Sequence, residues 1–98
     1  MAPAIGFIGF GEAGSTIARG LRSAGVERIA AYDITPKTSD IVTIVDSPEA
    51  LAASTDIIVS AVTSSSALDA AKQSAPFLTR RHTYADINSG AVERSIGQ

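Results

Sequence analysis

The chain contains no cysteine. Disulfides, thiolate metal sites and a cysteine nucleophile are therefore excluded. Its single histidine, His82, rules out a histidine-rich metal site. Charge of one sign is also scarce: eight basic and ten acidic side chains give a formal charge of −2. That balance offers no electrostatic reason to expect nucleic acid or an anionic membrane as a partner. Long apolar runs are missing too. The longest uncharged stretches, residues 1–11 and 57–68, are too short to span a bilayer. The apolar run Ala4–Phe10 has no basic residue before it, the first being Arg19, and glycines interrupt it, which argues for a buried strand over a secretory signal. A cytoplasmic protein is expected.

What is present points to a folded chain. Hydrophobic residues make up 45% and charged residues 18%, a ratio incompatible with disorder, and 98 residues allow one domain, 1–98. Isoleucine and valine cluster in short runs with alanine mostly between them, the pattern of buried strands alternating with small-residue helices in an α/β fold. Strands are expected at Ala4–Gly9, Arg28–Asp33, Ile41–Asp46, Asp56–Val62 and His82–Ile87. A first helix fits Glu12–Ala24, with Ala13, Ile17, Leu21 and Ala24 as its buried stripe and Gly25 ending it. Gly20 inside that helix suggests close packing. Ser47-Pro48-Glu49 reads as a capped start of a second helix, running to about Ser54. A third follows the polar turn Thr63–Ser66, with Ala67, Leu68, Ala71 and Ala75 inward and Pro76 stopping it. Ala91–Gln98 has the character of one more helix start.

Right-handed crossovers between such strands give a Rossmann-type, three-layer domain. It has a mostly parallel sheet of about five strands in the order 3-2-1-4-5. One connection departs from this. Only seven residues, Ile34–Asp40, lie between strands two and three, whereas a parallel crossover takes at least about 10–12. Either strand three is displaced, or the helix after strand two is reduced or missing.

The chemistry concentrates at Gly9-x-Gly11-x-x-Gly14, which follows a buried strand and opens an amphipathic helix. In that context Gly9 permits the tight turn, Gly11 lets the backbone approach a pyrophosphate, and Gly14 lets the helix pack closely on the strand. The helix N–H groups then face the phosphates. Asp33 lies 19 residues beyond Gly14, at the end of strand two, where a carboxylate accepts from ribose hydroxyls and repels a 2′-phosphate. NAD is favoured over NADP, although Lys37 is close enough in sequence to reach a phosphate. A P-loop would need lysine at Ser15. A nucleophile elbow would need serine between the glycines. His82 opens strand five, away from the carboxyl ends where ligands bind, and reads as a surface residue. Two further turns sit at the carboxyl ends, Val62-Thr63-Ser64 after strand four and Asp86–Gly90 after strand five, and both are candidates to line a nicotinamide pocket. In one, the Ser64–Ser66 cluster after strand four serves equally well as plain helix capping. In the other, Asp86 reads as structural.

Ile5–Gly14, Ala31-Tyr32-Asp33, Asp56–Val62 and Asp86-Ile87-Asn88-Ser89 occur in the same order as in the 6-phosphogluconate dehydrogenase and β-hydroxyacid dehydrogenase superfamily. The chain resembles that family's N-terminal cofactor domain over residues 4 to about 95. The resemblance implies an NAD or NADP site in which Gly9, Phe10, Gly11, Glu12, Ala13 and Gly14 hold the pyrophosphate. It implies that Val62 and Thr63 flank the nicotinamide side and that Ser89 touches the cofactor. Asn88 stands where the family usually has serine, and Asn88 and Ser89 become substrate-side candidates. Family members transfer a hydride between NAD(P) and a β-hydroxyacid or sugar acid, using a lysine on a later helix.

The sequence departs from the family in three places. The segment after Asp33 is short, which bears on adenine binding. Val92 stands near the usual proline. Neither Lys37 nor Lys72 matches the catalytic lysine, which is expected beyond residue 98 together with the substrate-binding serine–glycine–glycine segment. No catalytic residue is assigned. The resulting expectation is a truncated cofactor domain, inactive alone, whose parent supplies a C-terminal helical domain or a dimer partner. The competing expectations are a stand-alone nucleotide-binding or interaction module and a degenerate domain that binds nothing.

Overall fold

The computed structural model describes residues 3–87. Asn88, Ser89 and the helix expected from Ala91 lie outside the described residues. Five parallel strands form one sheet: β1 (Ile5–Ile8), β2 (Ile29–Tyr32), β3 (Thr43–Ile44), β4 (Ile57–Ser60) and β5 (Thr83–Asp86). Their order is β3-β2-β1-β4-β5, as the alternating pattern implied. Three helices connect them: α1 (Glu12–Ser23), α2 (Pro48–Ser54) and α3 (Ala67–Ser74). β1 is central, with Ile5 opposite Ile29 on one side and Ile57 on the other.

Two apolar layers sandwich this sheet. Phe7, Ala18, Ile29 and Ala31 form the core on the α1 face; Ile8, Leu51, Ile58 and Ala70 form it on the α2–α3 face. Phe7 and Leu51 are fully buried, each contributing about 1.5–3 kcal/mol by leaving water. Strands buried on both faces need no polar–apolar alternation, which is why they read as continuous apolar runs.

The short connection after β2 resolves in favour of a missing helix. β3 keeps its place beside β2, with Ala30 opposite Thr43 and Ala31 opposite Ile44. It is only two residues long, however, against the six expected from Ile41 to Asp46. Residues 33–42 cross over without a helix, and Val42, with Ile41, fills the α1-side core in its place. An extended crossover spans more distance per residue than a helix, so the short segment still reaches.

Two helix faces differ from expectation. On α1 the buried residues are Gly14 and Ala18, with Leu21 half-buried, whereas Ala13, Ile17 and Ala24 are exposed. The helix is rotated because Gly14 sits against the Gly9 carbonyl: a Cβ there would lie 2.6 Å from that oxygen. Contact at position 14 turns positions 18 and 21 inward and leaves 13 and 17 beside them. Gly20 packs against nothing, since a Cβ there has no neighbour within 4 Å. On α3, Ala70 and Ser74 are the buried pair, Ala67 and Ala71 are half-buried, Ala75 is exposed, and Leu68 is 64% exposed. A serine takes a core position here, which apolar periodicity alone does not reveal.

The helix ends follow local chemistry. α1 closes with Gly25 at φ +100°, with Val26 N–H donating to Leu21 O and Gly25 N–H to Arg22 O, both at 3.0 Å, the two bonds of a Schellman motif. Ser47 caps α2, its hydroxyl accepting from Ala50 N–H at 3.0 Å, with Pro48 in the first turn. At the other end of α2, Arg81 donates to the carbonyls of Ala52 and Thr55 and to Asp56 Oδ1 at 2.6 Å. His82 is half-buried rather than a free surface residue. Its Nδ1 accepts from Thr79 N–H at 2.9 Å, so Nε2 carries the proton and donates to Ala52 O at 2.8 Å. Its place at the start of β5 makes it a clamp between α2 and β5, on the edge of the sheet away from the glycine turn. Asp56 Oδ2 accepts from Ala4 N–H at 3.0 Å. That bond and the Arg81 charge hold its carboxyl below the usual range, against partial desolvation.

Candidate functional site

The turn after β1 lies where the strand order reverses direction, the position at which doubly wound sheets bind ligands. Gly9 has φ +89°, a conformation that L side chains rarely adopt. A Cβ there would also come within 2.8 Å of Val62 Cγ1 and 2.9 Å of Ala61 O. The turn is therefore pressed against the end of β4 on one side and, through Gly14, against α1 on the other. Gly11 differs: a Cβ there would meet nothing within 4 Å. Its face is open, and packing gives no reason for a glycine there.

Gly11 is the N-cap of α1, and no side chain caps the helix. The first intrahelical bond is Ser15 N–H to Gly11 O at 3.0 Å. The N–H groups of Glu12, Ala13 and Gly14 thus form the free positive end of the helix dipole. Both Glu12 and Ala13 have exposed side chains. Phe10 behaves differently. Its ring is buried against Phe7, with centroids 6.4 Å apart. Its N–H donates to Asp33 Oδ2 at 2.7 Å.

Asp33 stands just past β2 and ties the site together. Besides holding Phe10 N–H, it accepts from Thr35 N–H through Oδ1 at 2.8 Å, a local turn that shapes the start of the crossover. Each carboxylate oxygen has two acceptor positions, so each retains capacity for a hydroxyl donor.

A cleft of about 320 Å³ opens beside these groups, at the small end of the usual range for small-molecule sites. Its floor is Ile8, Gly9 and Ala61; Tyr32, Asp33 and Ile34 form one wall, and Val62, Thr63 and α3 form the other. Val62 and Thr63 therefore share a cleft with Asp33. Thr63 also helps shape the turn into α3, its hydroxyl lying 3.1 Å from that of Ser65 and donating to that of Ser66 at 3.3 Å. No lysine or arginine lines the cleft among the described residues, and Lys37 is not part of it. Asp86 lies opposite Ser60 in the β4–β5 register.

Sequence reasoning missed the α3 wall. Asp69, Ala70 and Gln73 join Ser66, which the serine cluster already makes a candidate, in lining the cleft. Their i, i+3, i+4, i+7 spacing on the helix after the fourth strand is the signal that could have found them. It also missed Gly6, where a Cβ would come 2.9 Å from Leu51 and Thr55 side chains, so that α2 packs directly on β1.

Sheet order, the glycine turn at the reversal point and the acid after β2 together define a dinucleotide-binding domain of the doubly wound class. Within that class the chain belongs to the family described as the NAD binding domain of 6-phosphogluconate dehydrogenase, whose model matches residues 4–95. None of the curated proteins matches it. Among solved structures, it is similar to pyrroline carboxylate reductase from Plasmodium falciparum with NADP bound. That match has TM-score 0.78 and 29% identity, over 88% of this chain and 33% of the other. A conserved hypothetical protein from Sinorhizobium meliloti is similar at TM-score 0.78 and 33% identity, over 91% and 33% of the two chains. An imine reductase from Myxococcus stipitatus in complex with NAD+ shares the fold at TM-score 0.77 and 20% identity, over 99% and 36%. The chain thus spans about a third of the length of these neighbours. No helix among the described residues is long and apolar enough to cross a membrane.

Proposed function

We propose that the cleft and glycine turn hold a nicotinamide dinucleotide, with NAD preferred to NADP, as the cofactor half of a cytoplasmic hydroxyacid dehydrogenase or related reductase. The bound cofactor would supply or accept the hydride. This chain's residues bind and orient it, and none of them is assigned a catalytic role. The observation that carries the reading is the contrast among the three turn glycines. Gly9 and Gly14 are glycine because neighbouring atoms crowd them. Gly11 is glycine where space is open, which fits a ligand that must approach the backbone there.

In this reading the N–H groups of Glu12, Ala13 and Gly14 face the pyrophosphate, and Gly9 and Gly11 leave room for it. Phe10 N–H is already given to Asp33, so Phe10 acts by fixing that carboxylate. Asp33 takes the adenosine ribose hydroxyls with its remaining acceptor positions. A second negative charge on Asp69 and the absence of a lysine or arginine from the described lining support NAD over NADP, since a 2′-phosphate would find no cation among the described lining residues. Val62 and Thr63 share the Asp33 cleft, so we assign them to the adenosine half rather than the nicotinamide half. Ser89 and Asn88 remain proposals from family resemblance. Residues 1–98 are proposed to form one domain of a longer enzyme, with the proton donor and substrate pocket supplied by the helical domain or a partner subunit.

The test is titration with NADH and NADPH, followed by nicotinamide fluorescence; the chain has no tryptophan to interfere. NADH should bind more tightly. Gly11→Val should weaken NADH binding about tenfold or more by occupying the pyrophosphate position, a loss of roughly 1.4 kcal/mol or more, while valine at the α1 N-cap should cost about 1 kcal/mol of stability, a melting-temperature drop of about 4–8 °C that leaves the chain folded. Unaltered binding by Gly11→Val would refute the turn assignment, and tighter NADPH binding would refute the role given to Asp33.

A further inference from the structure

The two walls of the cleft have different chemistry. On the crossover side stands Ile34, an apolar residue 82% exposed to solvent. Facing it across the cleft, α3 contributes Asp69 and Gln73, one helical turn apart, with buried Ala70 beside them. Both polar side chains are exposed, and neither makes a hydrogen bond to another described residue. With an apolar side chain beside Asp33 and a carboxylate and a carboxamide on α3, the cleft suits a base that enters from the Asp33 side and points its hydrogen-bonding edge at α3.

We propose that Asp69 and Gln73 read the edge of the cofactor's purine, selecting a 6-amino purine over a 6-oxo purine. This rests on the dinucleotide reading given above. If Gly11 meets the pyrophosphate and Asp33 the ribose, the base lies beyond Asp33, between Ile34 and α3. Adenine offers a donor at its 6-amino group and an acceptor at N1. An ionised carboxylate only accepts, so Asp69 pairs with the amino group, and Gln73 supplies an N–H to N1. Hypoxanthine inverts both signs: its position 6 is an acceptor and its N1 carries hydrogen. Gln73 adapts by turning its amide, because it carries both a donor and an acceptor. Asp69 has no such freedom, so the selectivity resides in Asp69.

The experiment compares NADH with reduced nicotinamide hypoxanthine dinucleotide, which differ only at the purine, by fluorescence titration of the chain. The unaltered chain should bind NADH about tenfold more tightly, the order expected for one lost charge-assisted hydrogen bond. Asp69→Asn has nearly the same shape and sits at an exposed position, so circular dichroism should report an unchanged fold. Its carboxamide can donate to the 6-oxo group, and the affinity ratio should fall toward about one. Asp69 also repels the pyrophosphate, but that repulsion acts on both probes alike and cancels in the ratio. Equal affinities in the unaltered chain would overturn the proposal while leaving the dinucleotide reading intact. A ratio unchanged by Asp69→Asn would overturn it as well. If neither dinucleotide binds the unaltered chain, the dinucleotide reading fails, and this proposal with it.

Discussion

Gly14→Ala and Gly20→Ala make the same chemical change in the same helix, yet they should move stability in opposite directions. At Gly14 the added Cβ would lie 2.6 Å from the Gly9 carbonyl oxygen. Both groups are backbone, so α1 or the turn must shift. Overpacking costs about 1–3 kcal/mol, and so short an approach to backbone stands in the upper part of that range, at about 2–3 kcal/mol, while the better helix propensity of alanine returns about 1 kcal/mol. The net expectation is a loss of about 1–2 kcal/mol, which for a domain of this size lowers the melting temperature by about 4–16 °C. At Gly20 the added Cβ meets nothing within 4 Å. Only the propensity and unfolded-state terms remain, and stability should rise by about 0.5–1 kcal/mol. Urea denaturation followed by circular dichroism reads both changes. The two variants should bracket the parent, with midpoints separated by about 1.5–3 kcal/mol once converted through a common slope. Shifts of the same sign would show that the rotation of α1 is not set by the Gly14 contact.

Other expectations concern the rest of the frame. Ser47→Ala removes the oxygen that accepts Ala50 N–H and should cost about 1 kcal/mol; a change within about 0.3 kcal/mol in urea denaturation would mean that the cap does not stabilise α2. Asp56 supplies a pH dependence. Its carboxyl is held below the usual range first by Ala4 N–H and then by Arg81, so the fold favours the ionised form. That contribution is complete above the unfolded carboxylate pKa of about 3.9 and disappears as pH falls through the lower folded value. The stability gap between the parent and Asp56→Asn should therefore be present at about pH 7 and shrink below about pH 4. A gap of equal size at both ends of that range would assign it to packing instead.

Much of the molecule was legible because its signals are local. Valine and isoleucine runs mark strands buried on both faces. Ser47-Pro48-Glu49 marks a helix start and Gly25 a helix stop. The glycine turn and Asp33 carry their spacing in the chain itself. The shortness of segment 34–40 announced that something was missing after β2. It left open whether strand three was displaced or the helix after strand two was reduced or missing, since either accommodates a short connection. Pairing of Thr43 and Ile44 with β2 decided it: backbone hydrogen bonds to an existing edge retain even a two-residue strand, and Val42 covers the core that a helix would have covered.

The sequence by itself determined the fold class, the strand order and the place of the nucleotide turn, because each follows from periodicity, chain direction and the handedness of crossovers. Tertiary structure decided the rotation of the helices and the composition of the cleft. A helical stripe read from apolar residues places Ala13 and Ile17 inward; a single contact between Gly14 and the Gly9 carbonyl turns them out. Asp69 and Gln73 look like ordinary solvated residues along the chain and become a wall only when α3 lies across from Ile34. Periodicity reports which side chains tolerate burial, whereas close backbone contacts set the angle at which each helix presents them.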